Sequence, residues 1–178
     1  MKLLSYTLFL VFIGAVALPG VAASQIEEQC PQIKQILSHR ERNERFSRGV
    51  REQLIKLCIK EQKQEFEELV ARTEEIAKLT GEIKTSFDET QTFTADDRDK
   101  LERVEKLVKK VRTELNAADD DDEEKSPDNT AEAVDELERS ATSLFEEIKK
   151  TTRHSISLVA VKSSNAVMKI VKFLRFGN

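Results

Sequence analysis

The sequence predicts an all-α protein: an elongated helical bundle, or coiled-coil-like antiparallel helices, with a disordered acidic linker. Three observations predict it. Of the 178 residues 35% are charged, with five Gly, three Pro, one Tyr and no Trp, too few turn residues and rings for a sandwich or barrel. Apolar residues recur at intervals of three and four over long stretches instead of alternating. Helix-start signals stand where several of those stretches begin.

The chain opens with Met1 and Lys2, runs uncharged over residues 3–18, and breaks at Pro19-Gly20 before Val21-Ala22-Ala23. This pattern reads as a secretory signal peptide, residues 1–23. Val21 and Ala23 suit the minus-three and minus-one positions, which places the cut after Ala23 and the mature start at Ser24. An uncleaved anchor is the alternative, but the run falls short of the ~20 apolar residues a bilayer span takes. A lipoprotein does not fit, because Glu27-Glu28-Gln29 precede Cys30 where an apolar lipobox is needed. The expected location is therefore secreted or periplasmic.

Charge marks the remaining boundaries. Residues 24–113 are balanced, residues 114–147 carry 14 acids against 2 bases, and residues 149–178 carry seven bases and no acid. Blocks of this kind either present a tail to something anionic or neutralise each other in the fold. The expected segments are 24–116, a helical hairpin and long helices; 117–129, an acidic disordered linker; and 130–178, a C-terminal helical segment with a basic amphipathic end.

Pro31 suits a first helical position, and Ile33, Ile36 and Leu37 give the helix that follows an apolar stripe. The stripe vanishes between His39 and Arg45 and resumes through Phe46, Val50, Leu54, Leu57, Phe66, Leu69, Ile76, Ile83 and Phe87. This second helix either stops near Leu79 or runs past Gly81, where glycine costs about 1 kcal/mol against alanine. Thr94 before Ala95-Asp96-Asp97 predicts an N-cap and a helix from Ala95 to Asn116. Its residues Leu101, Val104, Val108, Val111 and Leu115 are spaced as one straight seam for a partner helix. Glu102 with Lys106, and Glu105 with Lys109, are expected as ion pairs on the wet side. Six consecutive acids, Asp119 to Glu124, repel one another and bury nothing, which is why residues 117–129 read as linker. Asn129 or Thr130 then caps a helix whose stripe is Val134, Leu137, Ala141, Leu144, Phe145 and Ile148. The last segment, residues 155–176, reads as helix, with a short strand over residues 156–161 as the alternative.

Cys30 and Cys58 are the only cysteines, and the expected export would let them pair. One continuous helix would hold them about 42 Å apart, whereas a bridge takes Cα atoms within about 7 Å. A hairpin turning near Asn43-Glu44, midway between them, would set Cys30 opposite Cys58. An intrachain disulfide is expected on that symmetry, with an intermolecular bridge or unpaired thiols as the alternatives.

Other chemistry finds little support. An EF-hand loop counted from Asp119 would need Gly at 124 and Glu at 130, where Glu124 and Thr130 stand, so no dedicated metal site is expected. Arg40, Arg42, Arg45, Arg48 and Arg51 cluster beside His39, but Glu41, Glu44 and Glu52 interleave with them. That is a solvated hairpin tip, and no nucleic acid is expected. His39 and His154 sit in no ligand-spaced pattern, and no nucleophile motif or phosphate-cradling loop is present. Glu67, Glu68, Glu74 and Glu75 are the only clustered acids an enzyme could use, and helical carboxylates usually form a wet face. No cofactor is expected.

The basic C-terminal segment is the most informative feature. At 100° per residue Ile156, Val159, Ala160, Val167, Ile170, Val171 and Leu174 fall on one side, and Lys162, Lys169, Lys172 and Arg175 on the other. Leu158, Val161, Met168 and Phe176 lie on the cationic side, and Ser163 interrupts the apolar stripe. Such a helix is either central in a bundle, with Ala160, Ser163, Ser164 and Ala166 allowing close approach, or a surface helix. In the surface case Lys162, Lys169, Lys172, Arg175, Ile170 and Leu174 would contact a membrane or partner. The expected function is a non-catalytic helical scaffold or interaction protein that self-associates or binds a protein through aliphatic seams. The alternative is binding to an anionic membrane surface or polymer through the C-terminal helix.

Overall fold

A computed structural model describes residues 48–118, 127–152, 155 and 157–176. The first described helix, α1, spans Arg48–Thr90; α2 spans Ala95–Glu114, α3 Thr130–Lys150 and α4 Leu158–Phe176, with no strand among the described residues. The chain divides into two compact units, Met1–Lys56 and Leu57–Asn178. Only the opening turns of α1 are described in the first, so the packing below concerns the second.

Local chemistry sets the helix ends. Thr94 caps α2 in a reciprocal box: its hydroxyl accepts from the Asp97 N–H, and Asp97 accepts from the Thr94 N–H at 2.9 Å. Phe93 just outside the cap packs on Phe87, with ring centroids 5.4 Å apart, closing the corner between α1 and α2. At the far end of α2, Asn116 takes φ 49°, its N–H bonds Thr113 and the Ala117 N–H bonds Arg112. This is a Schellman ending in which asparagine fills the left-handed position that glycine usually takes. Asn129 caps α3, and Glu132 returns a bond to the Asp128 N–H. The strand alternative near the C-terminus fails over the described residues. The Ala160 and Val161 N–H groups bond the Ser157 hydroxyl and carbonyl, and the chain is helical from Leu158. The long helix α1 passes through Gly81 without a break, since Ile76, Ile83 and Phe87 are buried on both sides of it.

Side-chain contacts order the helices in a ring, α1, α2, α4, α3. Glu75, Glu82 and Ser86 of α1 meet Arg103, Lys100 and Asp97 of α2, so these two run antiparallel. Arg112 and Glu105 of α2 meet Asn165 and Arg175 of α4, again antiparallel. Ser143 and Glu147 of α3 meet Ser163 and Ser157. Lys84 of α1 closes the ring on Asp135 of α3 at 2.8 Å. A ring of antiparallel neighbours leaves α2 and α3 parallel. The chain between them therefore joins opposite ends of the bundle, as one long crossover. The acidic run, expected as a disordered linker, falls on residues 119–126, which lie outside the described residues.

The core is aliphatic. Leu101, Val104, Val108 and Val111 of α2, Val134, Leu137, Leu144 and Ile148 of α3, and Val167, Ile170 and Val171 of α4 are all buried, with Phe87 the only buried ring among the described residues. The seam of α2 is wider than the spacing predicts. Leu107 and Glu105, which flank it, are buried too, because α2 is held between α1 and α4 instead of facing a single partner. Backbones come closest between α3 and α4. Ala141, Ala160 and Ser164 are buried there, and the Ser163 hydroxyl donates to Ser143 at 3.2 Å. Thr73, Thr80 and Ser164 are also buried, each turning its hydroxyl back to a carbonyl of its own helix, so none is stranded.

Candidate interaction surface

The cationic side of α4 divides in two. Arg175 points to α2 and bonds Glu105, which is 8% exposed and also takes Lys109 at 2.6 Å. The pair expected on the wet side of α2 thus exists, but Glu105 sits inside the bundle and ties α4 to α2. A buried carboxylate with two cations is compensated where a lone one would not be. Lys162 and Lys172 are exposed, and Lys169 is half-buried.

Ile170 and Leu174, the apolar members of the expected contact set, are 2% and 9% exposed and pack inside the bundle. They share no surface with the lysines while α4 is in place. The outward stripe of α4 is a different set of residues. Leu158 and Phe176 are 68% and 70% exposed. They stand 18 positions apart, five whole turns, so they lie on one line about 27 Å long. Lys162, Asn165, Lys169 and Lys172 fall within about 40° of that line at 100° per residue. No acidic residue occurs anywhere in α4. At the middle of the stripe the Asn165 amide donates to the Ala118 carbonyl at 3.1 Å and its oxygen accepts from Arg112 at 2.9 Å. The six acids follow one residue beyond Ala118.

The clustered acids of α1 are largely occupied. Glu67 pairs with Lys63, Glu68 with Arg72, and Glu75 with Arg103 of α2. Arg72 also reaches Glu114. This pair lines an open groove of about 480 Å³ together with Gln62, Glu65, Phe66 and Leu69. Burial, joined by the charges of Glu68 and Glu65, lifts the Glu114 carboxyl above its ordinary range although Arg72 opposes the shift. A raised carboxyl in a groove can mark a functional site; here it forms one side of an ion pair joining α1 and α2. A second groove, lined by Lys84, Asp135, Glu138, Arg139 and Thr142, surrounds the pair joining α1 and α3. Hydrogen bonds from Lys84 to Asp135 and Asp88 raise its pKa, keeping that amine charged.

Cys58 lies half-buried on α1 and is not a free cysteine. Cys30, the signal segment, the expected turn near Asn43-Glu44, His39 with Arg40, Arg42 and Arg45, and His154 lie outside the described residues, whereas Arg48 and Arg51 stand in the opening turn of α1. Among the described residues no group of His, Cys, Asp and Glu is arranged to hold a metal ion, and no helix is long and apolar enough to cross a membrane. Sequence reasoning missed the internal role of Glu105. The available signal was Leu107: an apolar residue on the other flank of the seam implies a helix covered from two sides. No protein-family model matches this chain, and neither does any curated protein or solved structure.

Proposed function

We propose that the chain is an exported, non-catalytic helical scaffold that associates with a protein partner or a second copy through an aliphatic seam on α1. One observation carries the reading: the change in burial along α1. Ile76 and Ile83 are enclosed by the bundle, whereas Leu57, on the same helix, is 52% exposed. A large aliphatic side chain left exposed on a helix offers an edge for a further helix. In this reading residues 1–23 are removed after Ala23, and Cys30 pairs with Cys58 across a hairpin that braces the start of α1, closing a loop worth about 3 kcal/mol.

Two measurements test it. The unreduced mass of the exported protein is expected to correspond to a chain starting at Ser24 and two hydrogens lighter than the dithiol form. Two free thiols would remove the brace, and an intact Met1 would remove the cleavage. Light scattering over a range of concentrations is expected to show association that Leu57→Glu weakens at least tenfold. A monomer at every concentration, unaffected by Leu57→Glu, would leave only the partner-binding form of the proposal.

A further inference from the structure

We infer that the outward stripe of α4 is a docking surface for an anionic lipid bilayer, used by the bundle in its folded state. The argument starts from which side of α4 is free to act. An amphipathic helix would ordinarily be read as placing Ile170 and Leu174 in the lipid, but these are buried against the other helices. What remains outside, with Val159 and Arg175 about 100° to either side, is a line beginning with Leu158, passing Lys162, Lys169 and Lys172, and ending with Phe176. Exposed apolar residues scattered singly on a surface carry no message. Here two of the largest stand five turns apart on the same azimuth, with cations between them and no acid in the helix.

The chemistry of that line selects the occupant. Lysines close to a surface of anionic head groups are drawn to it within a Debye length. An acidic polymer would satisfy the lysines as well, but it would have no use for Leu158 and Phe176. A bilayer takes both: head groups meet the ammonium groups, while the leucine side chain and the phenyl ring enter the acyl boundary. Lys162 and Lys172 have no ion-pair partner among the described residues. The chain also contains its own competitor. Ala118 is bonded to Asn165 on this stripe, and the six acids that follow it in sequence carry the same sign of charge as the lipid head groups.

The test uses the chain from Ser24, the mature start of the proposed function, with vesicles of phosphatidylcholine alone or mixed with phosphatidylglycerol, and reads co-flotation. Binding is expected only to the mixed vesicles. It should tighten at least tenfold when residues 119–124 are changed to their amides. In that neutralised background, Lys162→Glu with Lys172→Glu should weaken binding at least tenfold, and Leu158→Ser with Phe176→Ser several-fold, while Lys78→Glu on α1 changes little. A bridge made by Ser143→Cys with Ser163→Cys, which holds α4 on α3, should leave binding intact. The proposal is overturned if even the neutralised chain fails to float with anionic vesicles. Unchanged binding after loss of Leu158 and Phe176 would identify a charge-only surface for a soluble polyanion and overturn the bilayer assignment. Loss of binding on bridging would show that α4 must leave the bundle, which overturns docking by the folded stripe. Circular dichroism of each variant confirms that the helices persist.

Discussion

Replacing Leu137 with alanine lowers the stability of the bundle by about 2–5 kcal/mol, the range for emptying a fully enclosed leucine site. Leu137 has no exposed surface and sits midway along α3. Its surroundings have little freedom to collapse into the space. α3 is fixed at its start by the Asn129 cap, near its middle by the bond from Ser163 to Ser143, and along its outer side by the pair of Asp135 with Lys84. The transfer free energy of the lost methyl groups and the cost of the cavity should therefore both appear. Urea titration followed by circular dichroism reads this as a lower midpoint at unchanged slope, because the surface exposed on unfolding is nearly the same. The expected fall in melting temperature is roughly 8–20 °C. Leu57→Ala is the control: half-exposed and clear of the core, it should stay within about 0.5 kcal/mol of the parent. Comparable losses at both positions would mean that α3 is not enclosed as described.

The contrast between Leu137 and Leu57 also separates what one segment encodes by itself from what only the assembled bundle decides. Interactions that close within one turn are written locally. Thr94 three positions before Asp97, and Asn129 three before Glu132, announce their caps because both partners lie within reach of a single helix start. The stripe of α3 is likewise legible, since a period near 3.6 is a property of one segment. Ring order is not. Nothing near Glu105 in the sequence points to Arg175, 70 positions away, and nothing in the spacing of α2 tells whether one helix or two will cover it. The same gap governs the two faces of α4. Periodicity sorts Ile170 and Leu174 from Lys162 and Lys172, but only the positions of α2 and α3 decide which face meets solvent. Once those helices are in place, the outward line from Leu158 to Phe176 follows from arithmetic alone. The parallel arrangement of α2 and α3 is similarly a property of the closed ring, and neither helix carries a local signal for it.

Asp97 combines a cap with a bond to another helix, and its removal should be nearly as costly as that of Leu137. The carboxylate is buried and accepts from the Thr94 N–H, the Thr94 hydroxyl and the Ser86 hydroxyl of α1 through one oxygen. Asp97→Ala strands those donors in the corner between α1 and α2 and cancels the capping box, a loss of about 2–4 kcal/mol at neutral pH. The pH dependence separates charge from shape. Burial pushes this carboxyl up, but the bonds from Thr94 and Ser86 and the charge of Lys100 outweigh it and hold the group below its ordinary range. A depressed carboxyl stabilises the fold fully above its unfolded value, about 3.9, and loses that contribution as pH falls through the lower folded value. Glu114 acts in the opposite sense. Its raised carboxyl binds a proton more readily in the folded chain, so stability gains slightly as pH falls from its folded value towards the ordinary glutamate value of about 4.3. The parent should therefore show a slight rise on entering the acid range and then a decline that Asp97 drives. Asp97→Asn keeps the shape and removes the titration, so the gap between parent and variant should be widest near neutrality and narrow steadily below pH of about 4. Parallel stability curves for the two proteins through that range would show that the ionised carboxylate contributes nothing and that the corner is held by packing of Phe87 on Phe93 alone.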